Sequence, residues 1–238
     1  MNLQSQVAII TGASRGIGKE IAFSLAREKV QLVLVARNIG ELQTLATQIN
    51  RQGGAAIGVQ ADITDSTAVE SLISQGLREF GHIDILINNA GIGLFKPAAN
   101  IQESEWDRMM DVNVKGSFLL CKGVVPHMRS RARGHIITIA SHASRQTFEQ
   151  GAVYCASKYA QDAFSDVLRK EVRKYGIKVS SVYPGVVDTY FNNSKMVDIQ
   201  KKDWLKPVDV ANTVVYILKA PDHVAIDELV INPVSQVY

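Results

Sequence analysis

The chain of 238 residues is 46% hydrophobic and 21% charged with a formal net charge of +3, and its mean hydropathy of +0.02 is that of one ordinary folded domain, residues 1–238, which excludes a disordered or membrane-embedded chain. The densest basic cluster, Arg129, Arg131 and Arg133, has no interleaved aromatics, so no nucleic-acid partner is expected, and with no leader-like segment before the apolar run at Gln6, no secretory signal or membrane span is expected either. The two cysteines, Cys121 and Cys155, match no metal-ligand spacing, so they read as core residues of a reduced, cytoplasmic protein with no metal site.

Apolar runs of strand length alternate with amphipathic segments of helix length along the whole chain. The strands are expected at Val7 to Ile10, Leu32 to Val35, Ala56 to Val59, Ile83 to Ile87, His135 to Ile139, Lys178 to Val182 and Leu229 to Ile231. Continuous hydrophobicity implies burial on both faces, hence an α/β fold with a parallel sheet covered by helices. Ligands of such sheets bind at the carboxyl ends of the strands. The motifs worth weighing therefore follow strands.

The first strand runs into Thr11-Gly12-Ala13-Ser14-Arg15-Gly16-Ile17-Gly18, after which Ile17, Ile21 and Leu25 share one helix face. Its glycines permit a sharp turn and close approach to a pyrophosphate, and the helix N-terminus offers unpaired N–H groups. The spacing is G-x-x-x-G-x-G rather than the common G-x-G-x-x-G. The second strand ends at Ala36-Arg37-Asn38, roughly 20 residues further on, where an NAD enzyme carries an acid for the ribose hydroxyl. No acid stands there. Arg37, with Arg15 in the turn, suits a 2′-phosphate and favours NADP(H) over NAD(H).

After the third strand, Asp62-Ile63 can meet an adenine or simply begin a turn, and Asp65 or Ser66 can cap the helix carrying Val69, Leu72, Ile73 and Phe80. The fourth strand closes on Asn88-Asn89-Ala90-Gly91, two amides able to brace a strand end and two small residues able to pass a cofactor. A long helical stretch begins near Ser104 and carries Trp106, Met109, Met110, Phe118 and Leu119. Asn113 within it is unfavourable on propensity, which hints at a hydrogen-bonding task. The fifth strand delivers Ser141 at its carboxyl end.

Tyr154 and Lys158 lie four positions apart in the next helix, on one face. A lysine beside a phenol favours the phenolate, lowering the phenol pKa toward a range useful for acid/base work. That helix ends at Gly176, and the sixth strand leads into Pro184-Gly185-Val186-Val187-Asp188-Thr189. A polar segment at about 186–206, with Phe191, Met196 and Trp204, reads as a substrate flap. Pro207 starts the last helix.

Thr11-Gly12-x-x-x-Gly16-x-Gly18, Asp62, Asn89-Ala90-Gly91, Asn113, Ser141, Tyr154-x-x-x-Lys158 and Pro184-Gly185, in this order and covering nearly the whole chain, resemble the short-chain dehydrogenase/reductase family. The resemblance implies a Rossmann-type doubly wound, seven-stranded parallel sheet, a small carbonyl or alcohol substrate, NADP(H) as cofactor and a homodimer or homotetramer. It further implies Tyr154 as the general acid, Lys158 as its electrostatic support and ribose anchor, Ser141 as hydrogen-bond donor to the substrate oxygen, and Asn113 as the holder of a water leading to Lys158. Cofactor contacts are implied for Gly12, Ser14, Arg15, Ile17 and Gly18 on the phosphates, Arg37 on the 2′-phosphate, and Asp62 and Ile63 at adenine. Asn89, Ala90 and Gly91 would meet the adjoining ribose, and Pro184, Gly185, Val187 and Thr189 the nicotinamide end.

The C-terminal run Glu228-Leu229-Val230-Ile231-Asn232-Pro233 resembles a branch acting on small carbonyl and hydroxy-acid substrates rather than the 3-oxoacyl-carrier-protein reductases, which stay the alternative. Substrate choice would fall to Phe95, His142, Arg145, Phe148, Val186, Tyr190, Phe191 and Trp204. A dinucleotide-binding sensor or scaffold without turnover is the reading from another class.

Overall fold

In the computed structural model, which describes residues 2–189, 191 and 203–236, seven parallel strands form one sheet in the order β3-β2-β1-β4-β5-β6-β7. The strands are β1 Val7–Thr11, β2 Gln31–Ala36, β3 Ala55–Gln60, β4 Ile85–Asn88, β5 Gly134–Ile139, β6 Ile177–Pro184 and β7 Glu228–Ile231. The helices are α1 Gly16–Arg27, α2 Ile39–Arg51, α3 Ser66–Phe80, α4 Glu103–Met110, α5 Gly116–Ser130, α6 Ala152–Val172 and α7 Pro207–Leu218. This is the covered parallel sheet expected from the alternation of patterns and the doubly wound Rossmann-type architecture implied by the resemblance.

Alternation along the strands sorts the core into two layers. Ala8, Ile10, Leu32 and Leu34 pack with Ile21 and Leu25 of α1, Leu42 of α2 and Val210 and Val214 of α7. Val7, Ile9, Val33 and Val35 pack on the other face with Leu72 of α3, Val124 of α5 and Leu168 of α6. Every expected strand is present, but β4 begins two residues later than its apolar run. The reason is Asp84, whose carboxylate accepts from the Val7 amide at 2.9 Å and so takes a donor that the ladder would otherwise use.

Two helix starts differ from one another in how well their caps were legible. Asp65 caps α3 through Oδ1, which accepts from Thr67 N at 2.8 Å. For α4 the cap is not Ser104. The helix starts at Glu103, and Glu105 Oε2 accepts from Gln102 N at 2.8 Å. The expected long helix is also broken, since Asp111–Lys115 forms a π-helical turn between α4 and α5. Such insertions widen a helix locally and recur at functional sites. Of the basic cluster, Arg129 stacks over Tyr175 at 4.1 Å and Arg131 lies 3.6 Å from Asp84, so both bind the fold to itself.

Strand order reverses between β1 and β4, where α1 packs on one face of the sheet and α5 on the other. A crevice opens at the carboxyl ends of those strands.

Candidate active site

The turn after β1 uses two left-handed glycines, Gly12 at φ +63° and Gly16 at φ +56°, a conformation costly for any other residue. Gly18 is required for a different reason: a Cβ there would sit 2.3 Å from Gly12 O and 2.6 Å from Asn89 Nδ2. The start of α1 thus presses directly on the strand ends. Asn89 Nδ2 donates to Thr11 O at 2.9 Å, and Thr11 Oγ1 accepts from the amides of Asn89 and Ala90 at 3.1 Å each. The expected bracing by amides therefore falls to Asn89, with Thr11 as a partner that sequence reasoning missed. Asn88 turns the other way and donates to Cys121 Sγ at 3.3 Å, while burial pushes that thiol up to about 12 and keeps it inert.

Seventeen of the expected residues line one cleft of about 1110 Å³: Gly12, Ser14, Arg15, Ile17, Arg37, Asp62, Ile63, Asn89, Ala90, Gly91, Ser141, Tyr154, Lys158, Pro184, Gly185, Val187 and Thr189. Gly18 and Asn113 stand behind its wall instead. Arg15 and Arg37 are exposed at the rim. Asp62 Oδ1 accepts from Thr64 N at 2.9 Å and Thr64 Oγ1 at 2.8 Å. The Thr64 amide is the main reason its carboxyl is held below the usual range, with Arg37 and Arg108 helping. Arg108 also lines the cleft. Nothing in its helical sequence context marked it, because the fold alone carries α4 to the Asp62 side of the cleft. A turn with no room for side chains, backed by a helix N-terminus and flanked by guanidiniums with no acid at the end of β2, fits a dinucleotide carrying an extra phosphate.

Tyr154 and Lys158 project from α6 toward the end of β5, and both are buried, at 9% and 4% exposure. Ser141 lies two residues past the end of β5 and caps a short 3-10 turn, its Oγ accepting from Ala143 N at 3.1 Å. Its hydroxyl favours the Tyr154 phenolate. Burial nevertheless pushes that phenol up to about 12, against the lowering effect of Ser141. The expected lowering by Lys158 is not found: burial penalises the phenolate, Ser141 alone works against it, and burial also brings the lysine down, to about 8. At neutral pH the site holds a phenol and, one helical turn on, an ammonium.

Asn113 has the hydrogen-bonding task its position hinted at. It is fully buried, accepts from Ile92 N at 2.9 Å and donates to Ile92 O at 3.0 Å and to Ser157 Oγ at 2.9 Å. The π-helical turn aims it at the loop after β4 and joins that loop to α6. A Cβ on Gly91 would lie 3.3 Å from Asn113 Oδ1 and 3.8 Å from Lys158 Nζ, which places this loop against the lysine. Gln161, Ser157 and Ser117 complete the buried polar layer and were not expected. Their signal was available: Gln161 lies seven positions after Tyr154 and three after Lys158, on the same buried helix face.

Around Tyr154 the wall is aromatic. Phe95 meets its ring edge-on at a centroid distance of 5.4 Å, Phe191 lies at 5.6 Å, and Phe148 packs on Phe95 at 5.5 Å. Six of the expected mouth residues, Phe95, His142, Phe148, Val186, Phe191 and Trp204, line the cleft. Arg145 does not. It stacks over Tyr183 at 4.1 Å and pairs with Glu228, because β7 delivers that carboxylate to the end of the 3-10 turn. Tyr190 and Met196 lie outside the described residues. The two ends of the expected flap are tied together, with Asp188 N donating to Leu205 O at 2.8 Å and Lys206 Nζ lying 3.0 Å from Asp188 Oδ2.

Comparison with known proteins identifies the family. The family model for short chain dehydrogenases matches residues 6–200. A glycine betaine reductase of Emericella nidulans is 38% identical over 97% of this chain, which spans only 19% of that protein's length. An uncharacterized oxidoreductase of Staphylococcus epidermidis is 36% identical over 98% of this chain and 99% of its own. Among solved structures, an alcohol dehydrogenase from the archaeon Thermococcus sibiricus, complexed with 5-hydroxy-NADP, superposes with a TM-score of 0.93 at 32% identity over 98% of both chains. A metagenomic short-chain oxidoreductase in complex with NADP does so with a TM-score of 0.87 at 33% identity, covering 99% of this chain and 100% of its own. The chain belongs to the short chain dehydrogenase family and is an oxidoreductase of that family.

Proposed function

We propose that the chain is an NADP(H)-dependent carbonyl reductase, able to run in reverse as an alcohol dehydrogenase. The observation that carries this reading is that Tyr154, Ser141 and Lys158 line the same cleft as the glycine turn and the two rim arginines. The cofactor is NADP(H), in keeping with the exposed Arg15 and Arg37 and with the ligands of the similar structures. When bound, it supplies or accepts a hydride.

The chain's own contribution is acid chemistry and placement. Tyr154 gives its phenolic proton to the carbonyl oxygen as negative charge grows there. Ser141 Oγ accepts from Ala143 N, and its O–H turns from the Tyr154 phenol to the same oxygen when substrate enters; charge that develops only in the transition state is where such a donor acts. Lys158 keeps a positive charge under the site and steadies the tyrosinate left behind. Asn113 holds the loop after β4 in register with α6. Phe95, Phe148 and Phe191 favour a neutral substrate with an apolar or aromatic arm, since burying an unpaired charge among rings is unfavourable.

A homodimer or homotetramer in the cytoplasm is part of the same reading. It is supported by the exposed apolar side chains Phe118 on α5, Val167 on α6 and Tyr216 on α7 and by two buried free cysteines. No helix among the described residues is long and apolar enough to cross a membrane.

The test follows NADPH absorbance against aryl and alkyl ketones, aldehydes, hydroxy acids in reverse, and acetoacetyl thioesters. Fastest turnover is expected on neutral ketones. Turnover confined to acyl-carrier thioesters would turn the assignment to 3-oxoacyl reduction, and tight NADPH binding without turnover on any of them would make the protein a dinucleotide sensor.

A further inference from the structure

We propose that Gln161 is a positioning residue for Lys158, a buried amide that fixes the amine beneath the cleft and favours its charged form. This rests on the reading of Lys158 as the electrostatic support of Tyr154. Lys158 Nζ donates to Gln161 Oε1 at 2.9 Å and to Ile139 O at 3.1 Å. An ammonium has three N–H groups, so these two internal bonds leave one for the cleft that Lys158 lines. Gln161 Nε2 in turn donates to Ser117 Oγ at 2.7 Å, and Ser117 Oγ donates to Asn113 O at 3.2 Å. Gln161, Ser117 and Lys158 are 1%, 3% and 4% exposed, so water does not substitute for any of these contacts.

The orientation of the amide follows from charge. Its carbonyl faces the ammonium, and turning it over would set an NH2 against Nζ and leave Ser117 Oγ without a donor. Because an amide does not exchange protons readily, Gln161 holds the lysine rather than carrying its proton. Few other groups compete for the role. Tyr154 is the titratable neighbour on α6 itself. On the surrounding segments, His142 of the 3-10 turn bonds Gln146, Asp111 of the π-helical turn pairs with Lys115, the Cys121 thiol of α5 accepts from Asn88, and Tyr183 of β6 donates to Asp162. Loss of the Gln161 carbonyl would leave the Ile139 carbonyl as the partner of a buried charge.

The experiment measures the Lys158 pKa directly, by NMR of isotope-labelled lysine with the signal assigned through Lys158→Arg, in the native protein and in Gln161→Leu and Gln161→Glu. From a native value of about 8, Gln161→Leu should lower the pKa by about one unit and Gln161→Glu should raise it by about one unit or more. On the ketone that turns over fastest with NADPH, kcat should fall as pH rises through the Lys158 pKa. That limb should move in the same two directions, with a roughly threefold lower kcat for Gln161→Leu near pH 7.5. Should Gln161→Leu fail to fold by thermal melt, Gln161→Met takes its place with the same expected sign. Opposite shifts in the two variants support the proposal, since a packing defect would not reverse sign. A pKa unmoved in both, or moved the same way in both, overturns it. Opposite shifts without turnover of any ketone would uphold the positioning role and sink the carbonyl-reductase reading, so the two failures are separable.

Discussion

The glycine turn after β1 and the tyrosine face of α6 are both polar sites at strand ends, but they are built on opposite principles. At the turn the polar groups are backbone amides and the exposed guanidiniums of Arg15 and Arg37. On α6 they are side chains sealed under aromatic rings, with Lys158 and Gln161 almost fully buried. A permanent anion such as a phosphate is best met by charges that stay solvated, because desolvating an arginine only to bind it would cost much of the gain. A proton donor has the reverse need. Burial sets which form it holds, and so Tyr154 sits near 12 and Lys158 near 8. In the proposed function, the turn recognises and the helix holds protonation states.

The sharpest way to break that division is Tyr154→Phe. Ketone reduction is expected to fall by about a thousandfold, while the NADPH dissociation constant, read by fluorescence titration, stays within about twofold. A large loss of affinity as well would mean that the two regions do not divide the work as described. Next in size is Gly18→Ala. Its methyl would fall 2.3 Å from Gly12 O, so the turn must shift, and NADPH affinity is expected to drop by about a hundredfold with a lower melting temperature. Unchanged affinity would show that the close approach of α1 to the strand ends does not shape the cradle. Smallest is Arg37→Ala, expected to weaken NADPH by about tenfold and leave NADH unaltered. Equal weakening of both cofactors would remove the 2′-phosphate from its role.

How much of this was legible before any coordinates depended on whether the information was local. The seven strands, the glycine turn and the Asp65 cap are properties of short runs, and all appear where the pattern placed them or within two residues of it. The start of β4 was misplaced because Asp84 reaches across to Val7, a partner far away in sequence. Arg145 was expected at the substrate mouth and instead serves Glu228 of β7. The π-helical turn at Asp111–Lys115 left no periodic trace, since five residues are too few to shift a hydrophobic repeat. Gln161 was visible as a polar residue on a buried helix face. It did not stand out without the knowledge that Ser117 and Lys158 would close on it from two sides.

The sequence by itself determined the alternation of elements, the phosphate turn and the order of the candidate chemical groups, because each depends on spacing along a few turns of chain. The tertiary structure decided which of those groups meet and how they titrate. Tyr154 and Lys158 share a helix face by spacing alone. That the phenol is pushed up and the amine down is a consequence of burial by β5, the loop after β4 and the aromatic wall. Desolvation is a property of everything packed around a group, and no local run of residues contains it.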